Sequence, residues 1–368
     1  MLMSDSGQYT VLILGSRAPI ALELCRSFGK HNHRVLCGDS IMFPIARFSK
    51  YCSKYLRHPA PNIDAAGFEK FLVNIVKEEK IDHIIPTSEE AFHLSIIAEE
   101  LACKVWVSDI DLMDQLHNKF TFIKLAENYF NVPETHYIAD FKDYSNASKY
   151  VFKPLYSRFG RDIIIDRPYE SVIEKIKKST NWIAQKKIEG QQLCTYAVFD
   201  EGNLKSYISY MPKYLYKGGA SMLFQHKDNS SVFERVKKFG EAINFTGQLS
   251  FDFIIENDRP YVIECNPRGT SGAHLLADKL EQVFFSKGSE IFTQLKKSKS
   301  LKFPVLFDKP GAFFDREFRE SIDVMFDKKD FLPALGQVLS IVEFVFYKLT
   351  KAKSMEEIMT YEFEYNGK

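Results

Sequence analysis

Two nucleotide-binding fingerprints are missing from this 368-residue sequence. The first apolar strand ends in a lone Gly15 with no Gly-x-Gly-x-x-Gly run, which excludes the dinucleotide phosphate turn. There is no Gly-x-x-x-x-Gly-Lys-Ser/Thr loop either, which removes the P-loop route to a nucleoside triphosphate. Charge of one sign is also lacking. The 49 Lys and Arg against 48 Asp and Glu leave a formal +1, so there is no electrostatic reason to expect a nucleic-acid partner. The six cysteines, at 25, 37, 52, 103, 194 and 265, contain no Cys-x-x-Cys pair. That excludes the usual zinc and redox spacings and suits reduced thiols. His31 and His33 have no acid or thiol close by and are not expected to bind metal. The first seven residues lack the basic and apolar regions of a secretory leader, so a cytoplasmic location is the expectation.

What is present begins as an α/β unit. Residues 10–15 read as a buried strand, 20–28 as a helix with an apolar face and 34–38 as a second strand. A second repeat follows, with a helix around 68–77 and a strand over 82–86. Ligands bind beyond the carboxyl ends of such strands, which makes Ser88 and Glu89 pocket candidates. A helix N-terminus with dipole-favoured acids explains the same residues. The length suits two or three domains.

The most informative segment is a hairpin. Apolar arms at 249–255 and 260–264 flank the turn-rich Asn257-Asp258-Arg259. A turn centred on Asp258 pairs Glu256 with Pro260, Ile254 with Val262 and Asp252 with Glu264, and the period of two puts Asn266 on the same face. A two-residue turn would pair Asp252 with Ile263 instead. Acids on the outer face of a hairpin are commonly just solvated, but these two interrupt otherwise apolar arms. Like charges directly opposite each other destabilise a sheet, so the pair calls for a cation. Two carboxylates and an amide oxygen suit Mg²⁺, with Mn²⁺ as the alternative, the remaining ligands coming from water and substrate phosphates. Pro267 then ends the strand, and Arg268 follows with a fixed guanidinium fork.

The run Glu264-Cys265-Asn266-Pro267-Arg268, with Asp252 about a dozen positions earlier, resembles the metal end of the ATP-grasp superfamily, in its carbamoyl-phosphate-synthase-like, carboxylate–amine ligase branch. The resemblance extends upstream in the family's order and spans roughly half the chain. It implies that Lys119, in the helical segment 116–127, and Lys153, at the end of the strand 149–153, reach the nucleotide phosphates. It implies a phosphate-covering loop over 155–162, with Ser157, Arg158 and Gly160 at the nucleotide. Family loops carry several glycines. This one has only Gly160 and adds Arg158 and Arg161, which either replace amides by charge-assisted contacts or mark a weaker grip. Residues 182–190 resemble the hinge that meets the adenine, with Gln185, Lys186, Ile188 and Glu189 as binding candidates and Gln192 where an acid is common. Asp252, Glu264 and Asn266 would hold metal. Lys153 and Arg268 would be the catalytic pair, Arg268 steadying the transferring phosphoryl group or the substrate carboxylate.

The implied architecture is an α/β N-terminal domain (1–112), α+β ATP-grasp lobes carrying lysines and hinge (113–190) and metal site (191–290), and a mainly helical C-terminal region (291–368). The basic run 296–300 reads as a solvated linker. Residues 331–349 are nearly all apolar, interrupted by Gln337, Glu343 and Lys348. Burial in the protein or in a homodimer interface is the expectation there, with membrane-surface contact or an opening to a lipophilic substrate as alternatives. The implied activity is ATP- and Mg²⁺-dependent ligation of a small carboxylate to an amine or related nucleophile through an acyl phosphate. The alternatives are a bicarbonate-activating enzyme and a non-catalytic ATP-binding regulatory or scaffold protein. Acceptor-pocket candidates are 217–221 and 269–274, with His274 as a proton carrier.

Overall fold

The computed structural model describes residues 7–158, 160, 162–176, 181–215, 221–288, 297–351 and 353–367. Phe159, Arg161 and the acceptor candidates 217–220 lie outside the described residues.

The N-terminal unit is an all-parallel sheet of β1 (Thr10–Leu14), β2 (Arg34–Asp39), β3 (Cys52–Arg57), β4 (His83–Ile85) and β5 (Lys104–Val105), in the order β3-β2-β1-β4-β5. Strand β1 is apolar at successive positions because both of its faces are covered. Val11 and Ile13 pack with the helix Pro19–Lys30, while Leu12 and Leu14 pack with the helix Ala65–Glu79. The strand order reverses between β1 and β4, so a crevice opens beyond their carboxyl ends, where Gly15 and Thr87 to Glu90 sit. Gly15 has φ +73°, and a Cβ there would lie 2.5 Å from Glu90 Oε1.

A small antiparallel sheet follows, built from β6 (Thr135–Tyr137), β7 (Tyr150–Pro154) and β8 (Trp182–Lys186) with β8 in the middle. The large sheet takes β9 (Gln191–Asp200), β10 (Asn203–Leu215), β11 (Ser221–His226), β12 (Gly247–Glu256) and β13 (Arg259–Asn266), extended by the two-residue strands β14 (Lys299–Ser300) and β15 (Ile322–Asp323). Its order is β13-β12-β9-β10-β11-β14-β15. Segment 291–368, read as mainly helical, thus also closes one edge of this sheet. Behind β12, Phe122, Phe130, Phe239 and Phe251 form a tilted and edge-to-face aromatic core. It ties the helices Lys119–Ala126 and Ser230–Ala242 to the strand that bears Asp252. All six cysteines are unpaired.

Two expectations need correction. The helical segment 116–127 is broken at Asn118, which leaves helical geometry at ψ 116° and starts a new helix by accepting hydrogen bonds from Phe120 N and Thr121 N. The apolar stretch 331–349 is not buried within the protein. Its helix, Leu332–Lys351, buries Gly336, Gln337, Ser340 and Glu343 and leaves most of its large apolar side chains exposed.

Candidate functional site

The hairpin reaches the expected pairing by an unexpected route. Asn257 and Asp258 both adopt left-handed backbone (φ +48° and +62°), the signature of a two-residue turn between twisted strands. The first pairs are therefore Glu256 with Arg259, Ile255 with Pro260 and Phe253 with Val262, not Glu256 with Pro260 and Ile254 with Val262. Continued unchanged, that register would bring Asp252 to Ile263. A β-bulge at Ile263 supplies one extra residue, and Asp252 meets Glu264, followed by Ser250 opposite Asn266. The bulge also frees a polar group: the Ile263 carbonyl accepts a hydrogen bond from Lys153 Nζ at 3.2 Å.

Two lysines face the carboxylates. Lys119 is 1% exposed, with Nζ 3.7 Å from Glu264 Oε1 and 3.5 Å from the Ser157 carbonyl. It stands at the start of the helix that Asn118 caps, and its own N–H donates to Leu155 O, which joins that helix to the end of β7. Lys153 is buried on β7. Burial, helped by the Lys119 charge and opposed by Glu264, pulls the Lys153 amine down to about 8. Burial, then the facing Glu264, pushes Asp252 up to about 6. Asn266 donates its amide to Asp252 Oδ2 at 3.5 Å, and its oxygen accepts from Arg268 Nη2 at 3.1 Å. Among the described residues no group of three His, Cys, Asp or Glu side chains forms a metal site. The donor set is nevertheless suited to a hard cation: two carboxylates stand opposite each other, the Glu264 charge raises the cost of ionising Asp252, and the Asn266 amide lies beside them with its NH2 toward Asp252 and its oxygen on Arg268.

Glu89 proves to be a buried hub. Arg158 grips both of its oxygens through Nε at 2.7 Å and through Nη2, Tyr365 N donates to it at 3.1 Å, and His117 Nε2 and Arg268 Nε lie 3.9 Å away. Burial raises the Glu89 carboxyl, but His117 and Arg158 outweigh it and hold it down to about 2. Arg158 also donates to the Tyr365 carbonyl and to Asn366 Oδ1. Expected at the phosphates, Arg158 instead clamps the chain's last residues to the N-terminal unit. Nor does Glu89 cap its helix; Glu90 does the backbone work, accepting from Thr87 N and Ser88 N at 2.8 Å. Ser157 is buried, and Gly160 turns with φ +65°.

In the hinge, Gln185 is buried on β8 and donates to Thr135 Oγ1 at 3.2 Å, while Lys186 and Glu189 are exposed and Ile188 is half-buried. Gly190 passes so close to the Ile255 carbonyl that a Cβ would lie 2.0 Å from its oxygen, so this crossing into β9 needs glycine. Gln192 is exposed and pairs with Ile254. His274 departs from the proton-carrier expectation. It is buried, hydrogen-bonded at 3.0 Å to Glu23, which also takes Lys299 at 3.1 Å, and stacked on Phe224.

Sequence reasoning missed His117, Tyr365 and Asn366. No local signal marks them, since Asn366 lies 208 residues from the Arg158 it binds.

With this geometry in hand, comparison with known proteins is informative. Residues 116–272 match the ATP-grasp domain model. Over that segment the chain carries an ATP-grasp domain. An uncharacterized protein from Methanocaldococcus jannaschii is 28% identical over 167 residues, 42% of this chain and 41% of that protein, so the match spans under half of the relative's length. Among solved structures, N5-carboxyaminoimidazole synthetase from Staphylococcus aureus, complexed with ADP, superposes with a TM-score of 0.63 at 15% identity, covering 81% of this chain and 82% of that one. An L-amino acid ligase from Bacillus licheniformis superposes at 0.57 and 16% identity, covering 75% and 71%. These similarities establish a shared fold.

Proposed function

We propose that this protein is an ATP-dependent ligase that activates a small carboxylate and joins it to an amine or related nucleophile. The observation that carries this reading is the convergence of Lys119 and Lys153, from two elements, on the paired carboxylates Asp252 and Glu264. Phosphoryl transfer depends on positioning and on neutralising charge, and this arrangement supplies both signs in one place. Lys119 and Lys153 would offset charge on the triphosphate. Gln185, Lys186, Ile188 and Glu189 would meet the adenine and ribose, with Ser157 and Gly160 in the loop over the phosphates. Asp252, Glu264 and Asn266 would hold Mg²⁺, which when bound neutralises and orients phosphate oxygens. Arg268, already turned toward Asn266, would steady the carboxylate or the phosphoryl group in transit.

In the reaction, a carboxylate oxygen of the substrate bonds to the γ-phosphorus as the bridging bond to ADP breaks. The amine nitrogen then attacks the acyl carbon and phosphate leaves with the bonding pair. The reading includes a cytoplasmic setting, where ATP and small carboxylates are available.

The test is ADP release from ATP and Mg²⁺ across a panel of amino acids and other small carboxylates, each with candidate amines. ADP formation that requires a carboxylate–amine pair and is lost in Glu264→Gln supports the ligase. ATP binding with no turnover for any pair favours the second reading, a nucleotide-binding regulatory protein. The diversion of Arg158 to Glu89, in a loop with a single glycine, is the observation on that side.

A further inference from the structure

The helix Leu332–Lys351 is packed inside out. Toward the protein it presents polar groups: Glu343 accepts from the Met42 and Phe43 N–H groups at 2.8 Å each, and Ser340 donates to the Phe43 carbonyl. Gly336 lies so close to the Phe48 ring that a Cβ would fall 2.3 Å from it. Toward solvent runs a stripe of Leu335, Val338, Val342, Val345 and Leu349, between 41% and 80% exposed, at the three–four spacing of one helix face. Leu339 and Phe346 widen it. A contiguous apolar face this long is rare on a soluble surface unless something covers it.

Charge around the stripe selects the occupant. Exposed Lys328 and Lys329 stand before the helix, and exposed Lys348 and Lys351 stand in its last turn with Lys353 just beyond. Two acids of this region are engaged inward, Asp330 buried against Arg26 and Glu343 against the Met42–Phe43 backbone, while Asp327 closes a local turn by accepting from Lys329 N. A second copy docked stripe to stripe about a two-fold axis would bring lysines against lysines, whether the helices ran parallel or antiparallel. An anionic lipid surface accepts both the apolar face and its basic ends. By length and composition alone this helix could cross a bilayer. Its polar side, however, is fixed along the Ile45–Phe48 turn and the residues before it, which holds it flat on the protein.

We propose that the exposed face of Leu332–Lys351 docks the protein in the plane of an anionic membrane, its apolar stripe at the headgroup–acyl boundary and its lysines among the headgroups. The test is flotation of the full-length protein with phosphatidylcholine vesicles and with phosphatidylcholine vesicles containing phosphatidylglycerol. The protein should float with the anionic vesicles, less so as salt is raised. Val342→Asp, at an exposed position that leaves the thermal melt unchanged, should abolish flotation. Each charge neutralisation, Lys348→Gln or Lys351→Gln, should lower vesicle affinity by about fivefold. Failure to float with anionic vesicles, equal flotation with neutral ones, or flotation unchanged by Val342→Asp overturns the proposal. So does a concentration-dependent dimer in sedimentation that Val342→Asp dissolves, since the face would then belong to a second copy.

Discussion

Replacing Glu264 by glutamine should separate a binding site from a structural ion pair, because the two roles predict opposite results. The rise of Asp252 from 3.8 to about 6 corresponds to roughly 3 kcal/mol of disfavoured ionisation at about 1.4 kcal/mol per unit. Burial is the larger cause and the Glu264 charge the second, with the Cys194 hydrogen bond, Arg268 and Lys153 pulling the other way. The folded protein keeps the Asp252 proton at a pH where the unfolded chain has lost it, so this group lowers stability as pH climbs from 3.8 to about 6. Removing the Glu264 charge relieves that opposition. Against this stands the loss of its contact with Lys119 at 3.7 Å, a partly solvated pair of comparable worth. The metal-free variant should therefore melt within about 2 °C of the parent at pH 7. Its affinity for ATP in Mg²⁺ should fall by on the order of tenfold or more, as for a lost carboxylate ligand. Thermal melts with and without Mg²⁺ and ATP, paired with calorimetric titration, measure both. A variant that is several kcal/mol less stable yet binds Mg·ATP as before would refute the reasoning.

Lys153→Met, which removes a buried cation from beside Glu264 and Asp252 and takes the donor from the Ile263 carbonyl, should weaken ATP binding by roughly tenfold or more in equilibrium titration; unchanged affinity would remove Lys153 from the phosphate site. Mg·ATP binding to the free protein should peak between about pH 6 and 8: Asp252 must lose its proton to hold a cation as pH rises past about 6, and Lys153 loses the charge that offsets phosphate as pH rises past about 8. A flat affinity from pH 5.5 to about 8.5 would contradict that pairing. Arg158→Ala should destabilise the protein by about 3 kcal/mol, since it strands the buried Glu89 carboxylate, and should expose the residues around Tyr365 to hydrogen exchange. Unaltered exchange there would show that the last residues are held by other contacts.

How far the sequence could be read depended on whether each interaction is local. The α/β alternation of the first hundred residues and the Asp252–Glu264 pair were legible because period and turn chemistry act within a few residues. Even there the pairing needed a second device: the Asn257-Asp258 turn sets a register one residue away, and the bulge at Ile263 restores it. A bulge leaves little trace in an apolar run, so its position was not readable. Arg158 looked like a phosphate ligand because its neighbours in sequence resemble a phosphate loop, whereas its partners Glu89, Tyr365 and Asn366 are distant in sequence. The apolar run 331–349 signalled burial, as composition usually does. It could not reveal that Ser340 and Glu343 would take the inward face. Those two residues lie three apart, on one side of a helix, and only the position of the Phe43 backbone determines which side that is.

The most direct measurement is a crystal structure grown with a non-hydrolysable ATP analogue and Mn²⁺, with data collected for the anomalous signal of the metal. An anomalous peak between the Asp252 and Glu264 carboxylates, with the analogue's phosphates between it and Lys119 and Lys153, is the predicted result. Bound nucleotide with no metal at that pair, or with its phosphates away from both lysines, would contradict the reading of this hairpin as the catalytic centre.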